Sequence, residues 1–284
     1  MTTVLEALKK NCKNLLNINI KTAKIDSEII LASVLKTDRI NLSTQHNLIL
    51  NKSQELLMKQ LMERRKNKEP VAYILNKKDF WNETYFVDKR VLIPRPETEI
   101  LIEMVLKNIK DKSKVLQILD IGCGSGCLLI SCLRELKKSI GIGLDISSDA
   151  LAVTKINVKN YKLNKRAELH KESIFNFLTL KKFDVILSNP PYLSSAEYDN
   201  LEIDVKNFEP KTALKGGHDG TSHYKKIITF ASMSLKKNGL LALELGDQQF
   251  FKIKEMLAEN SFRVLDKYRL INGEIRCILA SKIG

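Results

Sequence analysis

Hydrophobic and polar positions change rhythm twice along the chain. Through residue 75 the apolar residues recur with the 3.6-residue period of helices. Thr2 or Thr3 can cap a first helix, whose apolar stripe runs Val4, Leu5, Leu8, Cys12, Leu15 and Leu16. A second helix, about 22–35, places Ile25, Ile29, Ala32 and Val34 near one face. A third, about 52–66, follows Asn51 as cap and carries Leu56, Leu57, Met58, Leu61 and Met62. Between about 77 and 93 the texture turns to strand formers: Phe80, Trp81, Tyr85, Phe86, Val87, Val91, Leu92 and Ile93. With a turn at Asn82-Glu83, this pattern predicts a β-hairpin. Pro94-Arg95-Pro96-Glu97-Thr98-Glu99 then introduces an amphipathic helix over about 97–108.

From about 115 onward strand and helix patterns alternate. Strands are expected at 115–121, 139–146, 167–170, 182–189 and in Gly239-Leu240-Leu241-Ala242-Leu243-Glu244-Leu245, with helices at about 127–136, 148–160, 221–236 and 248–259. Two last strand-like runs, 262–270 and 274–281, are too close for a helical crossover, so the final strand should pair antiparallel. The expectation is an α/β fold, an open doubly wound Rossmann-like parallel sheet with an antiparallel last strand. A small helical domain (1–75) precedes it, a hairpin linker (76–95) joins them, and 96–284 forms the α/β domain.

Composition changes this picture little. Apolar residues make up 44% and charged residues 28%, an ordinary balance for a soluble protein. The N-terminus has lysines and no uncharged apolar run, and no stretch approaches the roughly 18 apolar residues of a membrane span, so a cytoplasmic protein without membrane attachment is expected. Cys12, Cys123, Cys127, Cys132 and Cys277 form no CxxC pair and have no flanking histidine, so no metal site is expected; Cys123, Cys127 and Cys132 read as packing for a loop and the next helix. The net charge of +14 suits an anionic partner, yet lysine supplies 37 of the 47 positive residues, and Lys, Asn and Ile are abundant along the whole chain. Function and compositional bias both remain open as its origin.

Candidate chemistry begins at Asp120-Ile121-Gly122-Cys123-Gly124-Ser125-Gly126, between the first parallel strand and a helix. Glycines let the chain turn and a ligand approach the backbone, and the helix N-terminus beyond supplies free N–H donors. The spacing GxGxG is neither the dinucleotide fingerprint nor a P-loop. Asp145, ending the second strand, can accept hydrogen bonds from two ribose hydroxyls. Together these point to a nucleoside-bearing cofactor. Glu172-Ser173-Ile174-Phe175 follow the third strand, where Ile174 or Phe175 can form an apolar wall against the base.

Asn189-Pro190-Pro191-Tyr192 stands at the end of the fourth strand. Two prolines fix the chain and rigidly present the asparagine. A planar –NH2 has two N–H bonds in its plane. The Asn189 side-chain oxygen and the Pro190 carbonyl can accept one each, which would hold that nitrogen beside a sulfonium methyl. Tyr192 can stack on the substrate plane.

The chain resembles the N5-glutamine methyltransferase family that modifies class-one peptide chain release factors. The likeness runs over nearly the whole length. It rests on Glu69 to Ile74, Val91 to Glu99, Asp120 to Gly126, Asn189 to Tyr192, Phe208-Glu209-Pro210 with Ala213-Leu214, Gly217 to Gly220, and Glu244 with Gly246 and Gln248. The resemblance implies S-adenosylmethionine as methyl donor and a methyltransferase α/β domain. It implies a release factor's Gly-Gly-Gln glutamine as acceptor, and a helical domain that helps to hold the protein substrate. It implies a cofactor site at Asp120, Gly122 to Gly126, Asp145, Ser173, Ile174 and Asn189. By the same likeness, substrate and catalytic contacts fall to Asn189, Pro190, Pro191 and Tyr192. Two positions depart from the family pattern: Ser173 stands where many members carry an acid, and Ile174 where an aromatic often follows. A monomer with no stable nucleic-acid partner is expected. Related chemistry keeps two other acceptors open, a ribosomal-protein glutamine and an exocyclic amino group of nucleic acid. Against the latter, Tyr73 is the only aromatic in the first 75 residues, which gives no stacking platform. A binding protein that has lost catalysis is a further alternative.

Overall fold

The computed structural model describes residues 2–283. The chain divides into two compact units, residues up to Lys77 with Glu202–Phe208, and Lys78–Leu201 with Glu209 onward.

The smaller unit packs α1 (Val4–Leu16), α2 (Ala23–Leu35), α3 (Lys52–Lys66) and α4 (Val71–Leu75) around Val4, Leu15, Ile30, Leu31, Met58 and Met62. Thr3 and Asn51 start α1 and α3 through full capping boxes, with Glu6 and Gln54 reaching back to the cap backbone. The expected stripes hold at Val4, Leu15, Ala32, Val34, Met58 and Met62, which are buried. Leu16 is 56% exposed, Ile25, Leu56 and Leu57 are also exposed, and Ile30 and Leu31, not named in the stripe, fill the core. On α2 and α3 part of the inner face is taken by a buried ion pair. Arg65 lies on the same face of α3 as Met58 and Met62, and its guanidinium sits 2.8 Å from Asp26 on α2 and 2.8 Å from Asp204 in the returning segment. A reading that reserves the core for apolar residues misplaces a helix whose inner face carries a charge.

In the larger unit β1 (Lys78–Phe80) and β2 (Glu83–Tyr85) form a short hairpin. Its turn is Trp81-Asn82, one residue earlier than expected, with Trp81 at φ 56°. Phe80 and Tyr85 enter the core beside α5 (Glu99–Asn108) and α6 (Cys127–Glu135), and the Tyr85 hydroxyl lies 2.7 Å from Ser131 Oγ. The hairpin is thus part of this unit's core. Val87, Val91 and Ile93 are buried in irregular backbone, not in strands.

The main sheet has seven strands: β3 (Gln117–Ile121), β4 (Ile140–Asp145), β5 (Ala167–Lys171), β6 (Phe183–Ser188), β7 (Leu235–Glu244), β8 (Phe262–Arg269) and β9 (Ile275–Lys282), in the order β5-β4-β3-β6-β7-β9-β8. All pairs among β3 to β7 are parallel, and β9 runs antiparallel to both neighbours, as its short connection to β8 requires. The remaining helices are α7 (Ser148–Asn160), α8 (Ser195–Asp199), α9 (Ile203–Phe208, within the smaller unit), α10 (Ser222–Ser234) and α11 (Phe250–Glu259). Side chains alternate across the sheet. Leu241 and Leu243 of β7 join the core with α10 and α11, whereas Leu240 and Ala242 join the core with α5 and α6. Both faces are covered, which is why these strands read as unbroken apolar runs.

Asn157 on α7 ties the layers together. Its side chain accepts from the Phe86 N–H at 2.8 Å and donates to the Phe86 and Ser125 carbonyls at 2.9 and 2.8 Å. The side chain is fully buried. Asn157→Ala strands three backbone groups, at about 1–3 kcal/mol for each left unsatisfied. Urea denaturation should show a loss of at least about 2 kcal/mol.

Candidate active site

Parallel pairing brings three strand ends together. Ile121 pairs with Leu144 on one side and with Ser188 on the other, so the loops after β3, β4 and β6 emerge side by side. Between them lies a cleft, partly open to solvent, whose empty space counted together with the solvent at its mouth is about 1120 Å³. A cleft at this edge of the sheet can admit a nucleoside-sized ligand.

The loop residues Gly122–Ser125 form the floor, while Gly126, expected to share it, packs against Thr154 and Ile130 and does not line the cleft. Gly122 has φ +75°, a conformation L side chains rarely adopt, and a Cβ there would meet nothing within 4 Å. The bare backbone therefore faces open space that a ligand can fill. The other side of the loop is fixed: Thr154 Oγ1 donates to the Gly124 carbonyl at 2.7 Å. Asp145 accepts from the Gly124 and Ser147 N–H groups, both at 2.9 Å, and lines the cleft with acceptor capacity remaining on both oxygens. Burial raises its pKa against the pull of these backbone donors. A floor of bare backbone beside a carboxylate at a strand end fits a cofactor's ribose and the chain attached to it.

Asp120 stands behind this floor. It is 1% exposed and does not line the cleft; its Oδ2 accepts from the Leu129 N–H of α6 at 3.1 Å, while Oδ1 has no partner among the described residues. Burial pushes its pKa up to about 7. Its direct effect is on the loop and the helix start. Cys123 and Cys127 line the cleft, and burial raises both thiols, Cys127 to about 12, so neither is a nucleophile.

Beyond β5, Glu172, Ser173 and Ile174 line the cleft together with Ile146, His223 and Ile227. Ile174 is buried and adds an apolar side chain to this part of the lining. Phe175 is half exposed, absent from the lining, and meets the His223 ring edge-on at 5.7 Å.

At the other end Asn189, Pro190 and Pro191 line the cleft. The Asn189 Nδ2 donates to Thr98 Oγ1 at 3.3 Å. Neither Asn189 Oδ1 nor the Pro190 carbonyl has a partner among the described residues, so two acceptors on residues of the cleft lining stand unengaged. Tyr192 does not line it. Its ring packs 5.5 Å from the Arg276 guanidinium and its carbonyl accepts from Gln249 Nε2 at 2.9 Å, so the residue anchors the turn from outside. Gly220 packs so closely that a Cβ there would fall on the Tyr192 carbonyl oxygen. Opposite, buried Glu209 accepts from the Ile93 N–H at 3.1 Å and from Arg95 at 2.6 Å, fixing the Val91–Pro94 wall.

Sequence reasoning left several of these residues without a role. Thr98, Thr154, His223 and Ile227 sit in helices or a 3₁₀ turn and read as ordinary cap or stripe positions. The adjoining Val91–Pro94 run was an available signal, because apolar residues ending in proline beside a strand edge favour a wall.

Two family models match long spans of the chain. Residues 96–205 match the model of the methyltransferase small domain, and residues 6–75 match that of the PrmC N-terminal domain. A release factor glutamine methyltransferase of Caulobacter vibrioides is 36% identical over 87% of this chain and 85% of its own length. A bifunctional methyltransferase of Rickettsia felis is 32% identical over 99% of this chain, which spans 58% of that longer protein. Among solved structures, a methyltransferase from Pyrococcus furiosus superposes with a TM-score of 0.51 at 17% identity, covering 70% of this chain and 89% of that one, a likeness of fold. On this evidence the chain belongs to the release factor glutamine methyltransferase family.

Proposed function

We propose that the chain methylates the side-chain amide nitrogen, N5, of the glutamine in the Gly-Gly-Gln tip of class-one peptide chain release factors. It would act as a monomer in the cytoplasm, on protein and without a stable nucleic-acid partner. The observation that carries this reading is the pair of unengaged acceptors, Asn189 Oδ1 and the Pro190 carbonyl, at the end of a cleft built for a nucleoside. The relatives named as release factor glutamine methyltransferases support the choice of acceptor.

S-adenosylmethionine, the cofactor of this methyltransferase fold, supplies a methyl group on a positively charged sulfur when bound. The Gly122–Ser125 backbone and the Asp145 carboxylate would hold it, with Ile174 and Ile227 walling the base. An amide nitrogen is a weak nucleophile because its lone pair is delocalised. Asn189 Oδ1 and the Pro190 carbonyl each accept one N–H, which fixes the amide plane, and orientation of this kind contributes up to about 7–11 kcal/mol. The same acceptors stabilise positive charge as it grows on the nitrogen. The proline pair keeps them rigid, so no reorganisation accompanies the reaction.

The helical unit suits a protein partner. Its first 70 residues carry 13 Lys+Arg against 7 Asp+Glu, and Leu48, Ile49, Leu56 and Leu57 are exposed. Exposed apolar side chains on a basic surface favour protein over phosphate, and the charge steers an acidic partner.

Labelled cofactor offered with a release factor, a ribosomal protein or RNA tests the acceptor. Label on the Gly-Gly-Gln peptide of the release factor is expected, and label on RNA alone would sink the reading. Asn189→Ala should lower the turnover rate by about 10²–10³ with calorimetric cofactor affinity unchanged, since it removes one electrostatic partner of the reacting nitrogen. Retention within about threefold would remove Asn189 from that role. Asp145→Ala should weaken cofactor binding at least about tenfold, a charge-assisted hydrogen bond being worth about 1.5–3 kcal/mol. An unchanged dissociation constant would place the ribose elsewhere.

A further inference from the structure

The Asn189 carboxamide has two faces, and only one of them can serve the reaction. With Oδ1 toward the substrate it accepts an amide N–H; rotated by 180° it offers a second donor and repels it. The turn itself sets the direction of the side chain and leaves the choice between these two states open. The choice is made by hydrogen-bond direction one and two residues away. Glu244, on β7, is fully buried, and its Oε2 accepts the Thr98 hydroxyl proton in a short hydrogen bond. An ionised carboxylate can only accept. The single proton of Thr98 is therefore committed to Glu244, and its oxygen can offer Asn189 nothing except a lone pair. Asn189 meets that lone pair with Nδ2, at 3.3 Å, which turns Oδ1 away from Thr98.

We propose that Thr98 and Glu244 are positioning residues, a two-step relay that fixes the Asn189 amide in the orientation that leaves Oδ1 free for the substrate N–H. The proposal rests on the reading that Asn189 accepts from the reacting amide. Neither residue needs to touch the substrate, and Glu244 does not line the cleft at all. A buried carboxylate adds nothing to stability that a well-packed apolar residue could not match, so its presence behind the reaction turn calls for another use. The same chain of partners is anchored from its far end, since the Tyr224 hydroxyl donates to the Glu244 carbonyl at 2.8 Å.

The relay requires Glu244 to be ionised. A protonated carboxyl can donate to Thr98, which frees the Thr98 proton for Asn189 Oδ1 and lets the amide invert. Burial raises the Glu244 pKa to about 7, against the pull of the Thr98 hydrogen bond. The charged neighbours are Arg276 and Arg95, which favour the carboxylate, and Glu97, which opposes it. Tyr192, Tyr224, Cys127 and Cys277 also feel its charge and are held neutral by burial. Turnover at saturating cofactor should therefore rise with pH through about 7 and level off above it. Saturating cofactor matters because Asp120, behind the glycine loop, titrates in the same range.

The test compares Thr98→Val, Thr98→Ser and Glu244→Met with Asn189→Ala, using intact release factor as substrate. Thr98→Val keeps the shape and removes the hydroxyl; kcat should fall about 10- to 100-fold, with KM for the release factor and calorimetric cofactor affinity within about threefold. Thr98→Ser should restore kcat to within about threefold of the parent, because the hydroxyl alone is needed. Glu244→Met removes the acceptor without leaving a charge; kcat should fall as in Thr98→Val, and in both variants the rise through pH 7 should vanish. Parental kcat in Thr98→Val or Glu244→Met, with Asn189→Ala inactive, overturns the relay and leaves the role of Asn189 standing. So does a Thr98→Ser variant as slow as Thr98→Val, which would mean that the methyl group and its packing matter. Activity retained by Asn189→Ala overturns the underlying reading and the relay with it.

Discussion

β3 is paired in parallel with β4 on one side and with β6 on the other, and that single arrangement decides where chemistry can happen. The chain leaves β3 toward β4 and β5, then returns across the sheet to begin β6 on the opposite side. No crossover covers the carboxyl edge where the two directions part, so a crevice opens there. The β3 loop, the end of β4 and the β6 turn all border it. Their residues come from positions 122–125, 145–147 and 188–191, far apart in sequence and neighbours only because of the strand order. The two halves of the cleft divide the work: bare backbone and Asp145 at one end, rigid prolines and unengaged carbonyl oxygens at the other.

Buried polar groups keep these loops in place. Asp120 caps the approach to α6 through the Leu129 N–H, Asn157 joins the glycine loop to the chain after the hairpin, and Glu209 fixes the wall at Ile93. Each is expensive to bury, and each bonds at least one backbone group: a helix-start N–H for Asp120, loop N–H or carbonyl groups for Asn157 and Glu209. A loop satisfied by its own strand or helix would need none of them. Their concentration around one cleft reflects how much non-regular backbone must be held rigid there. Arg65 in the helical unit is the counterpart elsewhere, where a buried cation joins α2, α3 and the returning segment.

Regular elements of the α/β unit were legible because their signals are local. Alternation of strand and helix, the glycine loop, the strand-terminal Asp145 and the Asn-Pro-Pro-Tyr turn all lie where the spacing put them, and α3 occupies 52–66 as its cap foretold. Two kinds of feature were not legible. The first is phase in the small helical unit, where Arg65 and Asp26 occupy inward positions that a hydrophobic pattern assigns to Leu56 or Ile25. The second is any role made by long-range pairing. Thr98 reads as the start of a helix and Glu244 as the polar end of a strand; their relation to Asn189 spans 91 residues in one step and 146 in the other. Tyr192 is the converse case: its place in the motif suggested a stacking surface, and its ring packs 5.5 Å from the guanidinium of Arg276, distant in sequence, while the residue is not among those lining the cleft.

The distribution of charge narrows what the cleft can hold. The chain carries +14 overall, yet among the described residues no lysine lines the cleft, and its one arginine, Arg90, is engaged by Asp88 through both carboxylate oxygens. Asp145 and Glu172 line the same space, where burial lowers the pKa of the remaining basic group, His223. Phosphate groups would meet like charge and find no fork to receive them, which disfavours nucleoside triphosphates and dinucleotides. A cofactor whose reactive end is a cation meets the reverse situation, because the surrounding carboxylates and backbone carbonyls lower its energy on entry. The excess of lysine therefore belongs to the outer surface, where it can act at long range on the approach of an acidic partner without entering the chemistry. The glycine loop departs from the dinucleotide and P-loop patterns by spacing, and the cleft disfavours their ligands independently by charge.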